Sequence, residues 1–285
     1  RAAVLVWKRM AHPRFVHPLE LLCCPRCGGP LTDGEAIACV PCGITYPTIG
    51  GLPWLFAGPE AALGEWRARI HGFLAGLESQ AARYRAALTQ EITRAPTRNR
   101  LKLLASACSD HGRRIRPLMA PLGAGTGTAA PELYSALGVT LPMGQGLASY
   151  YANLHRDWAW GEAENEAAFR LVDTELGDGP PGRTLLLGVG AGRLAYDLHV
   201  RRHPAPLVAA DLNPLFLLAA QRLFAGESLE LYEFPLAPRD LGSHAVLRTL
   251  QAPSVVAGDC HFVFADASHG PFAAGAFDTV ITPWL

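Results

Sequence analysis

The chain has 285 residues and carries 25 acidic and 25 basic side chains. With 49% apolar and 18% charged residues, it can bury one large core or two smaller ones, which excludes intrinsic disorder. No apolar run reaches the ~18 residues of a membrane span, and four of the seven cysteines stand in two C-x-x-C pairs, the arithmetic of a metal site in a reducing compartment, hence the cytoplasm.

The balanced charge conceals an asymmetry. Residues 67–116 hold eleven Lys/Arg against three Asp/Glu, and residues 117–285 hold nine against seventeen. Such a basic stretch is either a solvated helix face or a surface for RNA or another anionic partner. It has few aromatic side chains on which bases could stack.

Residues 17–58 read as a small unit of their own. Cys24 and Cys27 form one knuckle, Cys39 and Cys42 the other, with eleven residues between them. Gly28 and Gly43 follow the pairs and let the backbone turn so that the thiolates face one ion. Four thiolates suit tetrahedral zinc, and a site closed by four protein ligands is structural. Asp33-Gly34 is the expected hairpin turn between the knuckles. Cys23 has the wrong spacing to Cys27 and reads as a spare thiol. A ribbon of this size has almost no core, so the metal is expected to supply its folding energy, on the order of 10 kcal/mol or more. The run I-T-Y-P-T-I-G-G-L-P-W-L-F reads as the closing strand and turn. Through L-L-x-C-P-x-C-G, C-x-x-C-G and the Y-P ending, residues 19–56 resemble the small zinc-ribbon proteins that bind and activate methyltransferases.

Residues 59–120 read as helical. Trp66, Ile70, Phe73, Leu74, Leu77, Tyr84, Leu88 and Ile92 recur mostly at steps of three and four, and Pro96 limits that helix. A second helix is expected from about Arg98 to Ile115. Residues 121–145 are rich in Gly, Thr and Ala and read as a linker. The linker contains a G-x-G-x-G at Gly123, Gly125 and Gly127, but no strand precedes it, so it is not read as a nucleotide site.

Residues 146–285 carry the candidate chemistry. A helix is expected over Ser149 to Phe169, with Glu162, Glu164 and Glu166 in solvent. Its His155-Arg156-Asp157 resembles a kinase catalytic loop, but Trp158 and Glu162 depart from that pattern. Arg156 is either a clamp for a ligand carboxylate, which a guanidinium fork matches, or an ordinary surface arginine. Thr184 to Leu187 read as a buried strand, followed by Gly188, Gly190 and Gly192 and then a helix. This order brings backbone N–H groups and a helix N-terminus up to a ligand. Arg193 stands where a dinucleotide fingerprint has its third glycine, which points to S-adenosylmethionine (SAM) instead.

Leu207 to Ala210 form the next strand, and Asp211 at its end lies nineteen residues after Gly192, the distance at which a carboxylate meets ribose hydroxyls. Asn213-Pro214 opens a helix to Phe224. Residues 225–258 read as a loop-rich, lid-like insertion. A strand from about His261 to Ala265 ends in Asp266, a candidate for the adenine amino group, with Asp259 as the alternative. A last strand runs from about Phe277 to Thr282. The fold class expected from this series is α/β, a Rossmann-like SAM-methyltransferase sheet behind a zinc ribbon and a helical segment.

Residues 145–285 resemble the carnosine N-methyltransferase-like family, on H-R-D-W, L-L-x-G-x-G-A-G-R-L-A-Y-D, the Asp211 segment and F-A-D…F-D-T-V-I-T. The resemblance implies N-methylation of a small or peptide-like substrate, with Arg156, Gly188, Asp211 and Asp266 contacting SAM. Asn153 stands where the family has a glutamine. The family's substrate-holding Asp follows the fourth strand, beyond this chain, so no catalytic residue is assigned. The chain starts at Arg1 and stops in a strand-like run, and reads as a fragment lacking the family's later strands. The fourth strand is therefore expected to present an open edge, and the segment alone to be poorly soluble or inactive. The rival reading is a non-catalytic zinc-ribbon adaptor whose basic helices bind RNA or a partner enzyme.

Overall fold

The computed structural model describes residues 5–8, 18–34, 36–91, 94–123, 146–256 and 258–283. Most of the expected linker, with Gly125 and Gly127, and Ile92 of the helical stripe lie outside the described residues. The strands are β1 (Leu5–Lys8), β2 (Ile37–Cys39), β3 (Ile44–Tyr46), β4 (Thr48–Ile49), β5 (Leu52–Leu55), β6 (Thr184–Leu187), β7 (Leu207–Asp211), β8 (Leu229–Glu233), β9 (Val246–Leu250), β10 (Cys260–Ala265) and β11 (Thr279–Thr282). Seven of them form one sheet in the order β1-β11-β6-β7-β10-β5-β4. The five strands from β11 to β5 run parallel, and β1 and β4 are added antiparallel at the two edges. The class is α/β, as expected.

The sheet is covered differently on its two faces. Successive side chains of a strand point to opposite faces. Leu186, Leu207, Ala209, Phe262, Phe264 and Trp54 belong to one apolar cluster, together with the helices. Leu185, Val208, Ala210, Val263, Ala265 and Leu55 belong to another, with Leu21, Leu22, Ile37, Cys39 and Tyr46 of the ribbon. The ribbon, together with Phe272, Ala276 and Phe277, therefore covers one face of the central strands of a parallel sheet, which must be buried on both sides. This corrects the expectation that the ribbon has almost no core: it uses the sheet's. Its closing run is the β4–β5 hairpin, and β5 extends the sheet by pairing with β10, Trp54 opposite Phe264 and Leu55 opposite Ala265.

The helices are α1 (Pro59–Leu88), α2 (Ala95–Met119), α3 (Ala152–His155), α4 (Glu162–Leu176), α5 (Arg193–Arg202) and α6 (Pro214–Phe224). Helix α1 starts well before Trp66 because Pro59 suits the first helical turn, where its missing N–H costs nothing. Pro96 likewise opens α2 rather than closing α1. Trp66, Ile70 and Leu74 of α1 and Ile115 and Met119 of α2 pack with α6 over the sheet. The expected helix over Ser149 to Phe169 is interrupted by a wide π turn, Arg156–Trp160, and by Gly161. Glu162 and Glu164 are exposed, while Glu166 pairs with Arg170 and Arg201.

One further expectation gains detail and another changes. The insertion at 225–258 is loop-rich, as expected, but it also carries β8 and β9, which form an antiparallel hairpin from Leu229 opposite Leu250 to Glu233 opposite Val246. The edge of β11 is not open, because β1 pairs with it, Leu5 opposite Thr282 and Lys8 opposite Thr279. No described helix is long and apolar enough to cross a membrane.

Candidate functional site

Strand β6 sits at the point where the chain reverses direction across the sheet. From β6 the chain steps to β7 and then β10 on one side, and returns to β11 on the other. Open α/β sheets bind ligands in the crevice outside the carboxyl ends of the strands at such a switch point. At the opposite, amino end, the Arg183 guanidinium and backbone N–H hold the Asp278 carboxylate at 2.9–3.0 Å and tie β6 to β11.

The glycine loop follows β6 directly. Gly188, Gly190 and Gly192 all have positive φ, 65°, 56° and 93°, a region that side chains with a Cβ rarely enter. The last two serve different ends. A Cβ on Gly192 would lie 2.8 Å from the Ala220 Cβ, so this glycine lets α5 and α6 approach. A Cβ on Gly190 would meet nothing within 4 Å, so its backbone borders open space.

Asp211 closes the loop from the neighbouring strand. Its Oδ2 accepts from the Gly190 N–H at 2.8 Å and its Oδ1 from the Asn213 N–H at 2.8 Å. Protein packs densely around the carboxylate while part of the residue still meets solvent. Burial pushes its pKa up, and the N–H groups of Asn213, Gly190 and Leu212 act against that shift. Asn213 is buried and caps α6 by accepting from the Leu215 N–H at 3.0 Å.

The H-R-D-W turn packs on the glycine loop through side chains the sequence did not single out for it. Trp158 Nε1 donates to the Ala191 carbonyl at 2.7 Å. Arg193, at the start of α5, donates through Nη1 to the Asp157 carbonyl at 3.0 Å and through Nε to Asp197. Its guanidinium lies 5.7 Å from the centre of the Trp158 ring. The residue in the third-glycine position thus fastens this turn to the loop. Arg156 is held by its neighbour: Nε and Nη2 lie 2.8 and 2.6 Å from Asp157 Oδ1. Burial raises the Asp157 pKa, and the Arg156 guanidinium opposes the shift. Asn153 is half-buried in α3, one turn before Arg156.

Asp266 and Asp259 fall at opposite ends of β10. Asp211 lies across from Phe264, so Asp266 stands two residues beyond that level, at the carboxyl end. Its Oδ1 accepts from the Ser268 N–H at 2.9 Å and the Ser268 hydroxyl at 2.7 Å. The Asp259 carbonyl instead takes the N–H of Leu207, at the amino end of β7. The carboxyl ends therefore bring together Gly188, Gly190, Gly192, Asp211 and Asp266 and leave Asp259 out. A cavity of about 540 Å³ lies away from them, between the ribbon and the amino-terminal half of β10, lined by Ile37, Tyr46, Leu52, Cys260 and Phe262 among others.

No known family model matches the chain, and no curated protein matches it.

The four expected cysteines meet at one point. The sulfurs of Cys24, Cys27, Cys39 and Cys42 all lie within 4.8 Å of one another. Cys24–Cys42 is 3.9 Å and Cys27–Cys39 3.6 Å; metal–sulfur bonds of about 2.3 Å in a tetrahedron require roughly 3.8 Å. The set can hold one metal ion and suits structural zinc. Thr32 and Ala38 pair through two backbone hydrogen bonds, so the chain has reversed between them, and Asp33-Gly34 follow Thr32 at the start of that reversal. Burial opposes a thiolate at Cys24, but the Tyr46 hydroxyl at 3.0 Å and the N–H groups of Arg26 and Cys27 outweigh it and bring the thiol down to about 6. Tyr46 is thus a supporting residue that the cysteine spacing could not reveal. Cys23 stays outside the set, and its backbone N–H bonds the Pro271 carbonyl.

Proposed function

We propose that this chain binds S-adenosylmethionine at the carboxyl ends of β6, β7 and β10 and belongs to the methyltransferases with a Rossmann-like sheet, acting on the nitrogen of a small or peptide-like acceptor. One observation carries the reading: the Asp211 carboxylate is joined to the glycine-loop N–H across adjacent parallel strands at the switch point. A carboxylate there has lone pairs left for two ribose hydroxyls. The open backbone at Gly190 leaves room for the ligand. Asp266, on the next strand, is the candidate for the adenine amino group. Arg156, with Asn153 one turn earlier, is the candidate for the methionyl carboxylate, which would compete with Asp157 for the guanidinium.

The chemistry supplied by SAM is an electrophilic methyl on a sulfonium, displaced in line by the acceptor's lone pair. The chain's contribution is to hold the parts in line and to keep the turn at Trp158 fixed on the loop. The four cysteines, closed around one zinc, have no open position for a substrate and serve the fold.

The test is a thermal-shift titration with SAM, S-adenosylhomocysteine and NAD+. The adenosyl ligands should raise the melting temperature and NAD+ should not. No shift with either adenosyl ligand at millimolar concentration, or a shift with NAD+ alone, overturns the reading.

A further inference from the structure

The hairpin of α1 and α2 reaches past the body it packs on. The last buried residue of α1 is Ala81 and the first of α2 is Ala105. Arg85 donates to the Ser109 hydroxyl and Glu78 pairs with Arg116, so residues 82–88 run alongside 106–112 of α2, and residues 95–104 reach past the end of α1 by up to about 15 Å, at 1.5 Å per residue. The exposed positions of this tip are strongly basic: Arg83, Arg85, Arg94, Arg98, Arg100 and Lys102, against the single carboxylate of Glu91.

Ion pairing divides the hairpin in two. At its base the cations are matched, Arg113 and Arg114 by Asp110 and Arg116 by Glu78, at 2.8–3.2 Å. At the tip, among the described residues, no carboxylate pairs with Arg83, Arg85, Arg94, Arg100 or Lys102. The positive charge is also distributed around the tip. Residues two apart on a helix point about 200° apart, so Arg98 and Arg100 face opposite flanks, and Arg83 faces away from Arg85, whose guanidinium is turned onto Ser109 of α2. A flat acidic partner would meet only one flank. Two phosphate rails either side of a groove would meet both. The tip offers nothing for base stacking beyond Tyr84, which is half-buried and bonded through its hydroxyl to Gln80.

We propose that the tip of this hairpin docks on the phosphate backbone of a nucleic-acid duplex, without reading bases. The inference is independent of the methyltransferase reading. Phosphate contacts release counterions, so affinity should fall linearly with salt on logarithmic axes, by about 0.9 per phosphate contacted, with a dissociation constant of roughly 10⁻⁴–10⁻⁶ M at physiological salt.

The experiment is fluorescence anisotropy of the whole chain with a 20-base-pair RNA duplex, the matching DNA duplex, single-stranded RNA and a polyglutamate peptide, between 50 and 200 mM salt. Binding to either duplex, with RNA and DNA told apart by their two arms, is the expected result. Arg83→Glu/Arg100→Glu should reduce the salt slope by about 2, whereas Arg113→Gln at the base should leave it unchanged. Arg83→Gln/Arg100→Gln gives the same comparison if charge reversal disturbs folding. A slope untouched by both tip variants overturns the proposal. Tighter binding of single-stranded RNA or of polyglutamate than of either duplex also overturns it.

Discussion

Replacing Asp211 by alanine separates what this carboxylate does for the fold from what it does for a ligand. For the fold, the change leaves the N–H groups of Gly190 and Asn213 without their acceptors at 2.8 Å. Such a loss costs about 1–3 kcal/mol per buried group. Solvent reaches part of this residue and can bond the freed donors, and the variant no longer buries a charge whose pKa burial has raised. The net loss should be near ~1 kcal/mol, or about 2–4 °C of melting temperature for a chain of this size. For the ligand, two hydrogen bonds from ribose hydroxyls to a charged acceptor are worth about 1.5–3 kcal/mol each. Their loss corresponds to a factor of roughly 10² to 10⁴ in affinity. The assay is calorimetric titration of S-adenosylhomocysteine into both proteins, with zinc content measured to confirm that the ribbon is intact. Asp211→Asn keeps one acceptor and should fall between them. The same pKa shift sets a pH dependence: ligand affinity should fall as acid protonates Asp211, while the cost of burying its charge is relieved. An alanine variant that binds within threefold of the wild type would refute the reasoning.

Two further outcomes follow from buried groups. His111 is wholly buried, its Nδ1 has no hydrogen-bond partner among the described residues, and burial, aided by the nearby His155, pushes its pKa down to about 4. The unfolded chain therefore takes up a proton that the fold refuses, so stability is retained above about 6.5 and falls as the pH drops toward 4, by about 1.4 kcal/mol per unit. His111→Phe keeps the ring contacts with Tyr151 and Phe234 and should make the urea midpoint fall less steeply across that window, the remaining slope including His155, whose pKa burial also lowers; an unchanged profile would count against this account. Zinc removal by a chelator, or Cys39→Ala, should uncover Leu185, Val208 and Val263 on the sheet face that the ribbon packs against. Sheet and ribbon should then melt together at a lower temperature, with increased dye binding to exposed apolar surface; loss of the ribbon alone, with the rest melting as before, contradicts the shared core.

The sequence by itself determined the features set by local spacing. Two C-x-x-C pairs bring four sulfurs close enough to hold one metal ion because each knuckle is a short turn, and the Asp33-Gly34 reversal needs only its neighbours. The strand–glycine–helix run and Asp211 were legible for the same reason: residue type and separation along one βαβ unit fix where they meet. Tertiary structure decided what covers what. The unbroken apolar run L-V-A-A says that both faces of β7 are buried, but not that helices bury one and the cysteine ribbon the other. Nor does it say that β5 and β1 complete the two edges of the parallel strands, because strand pairing between residues 52–55 and 264–265, or 5–8 and 279–282, depends on backbone groups that every residue carries. The contacts of Trp158 with Ala191 and of Arg193 with Asp157 also lie in this class. They join segments more than thirty residues apart, and only packing brings such side chains within hydrogen-bond reach.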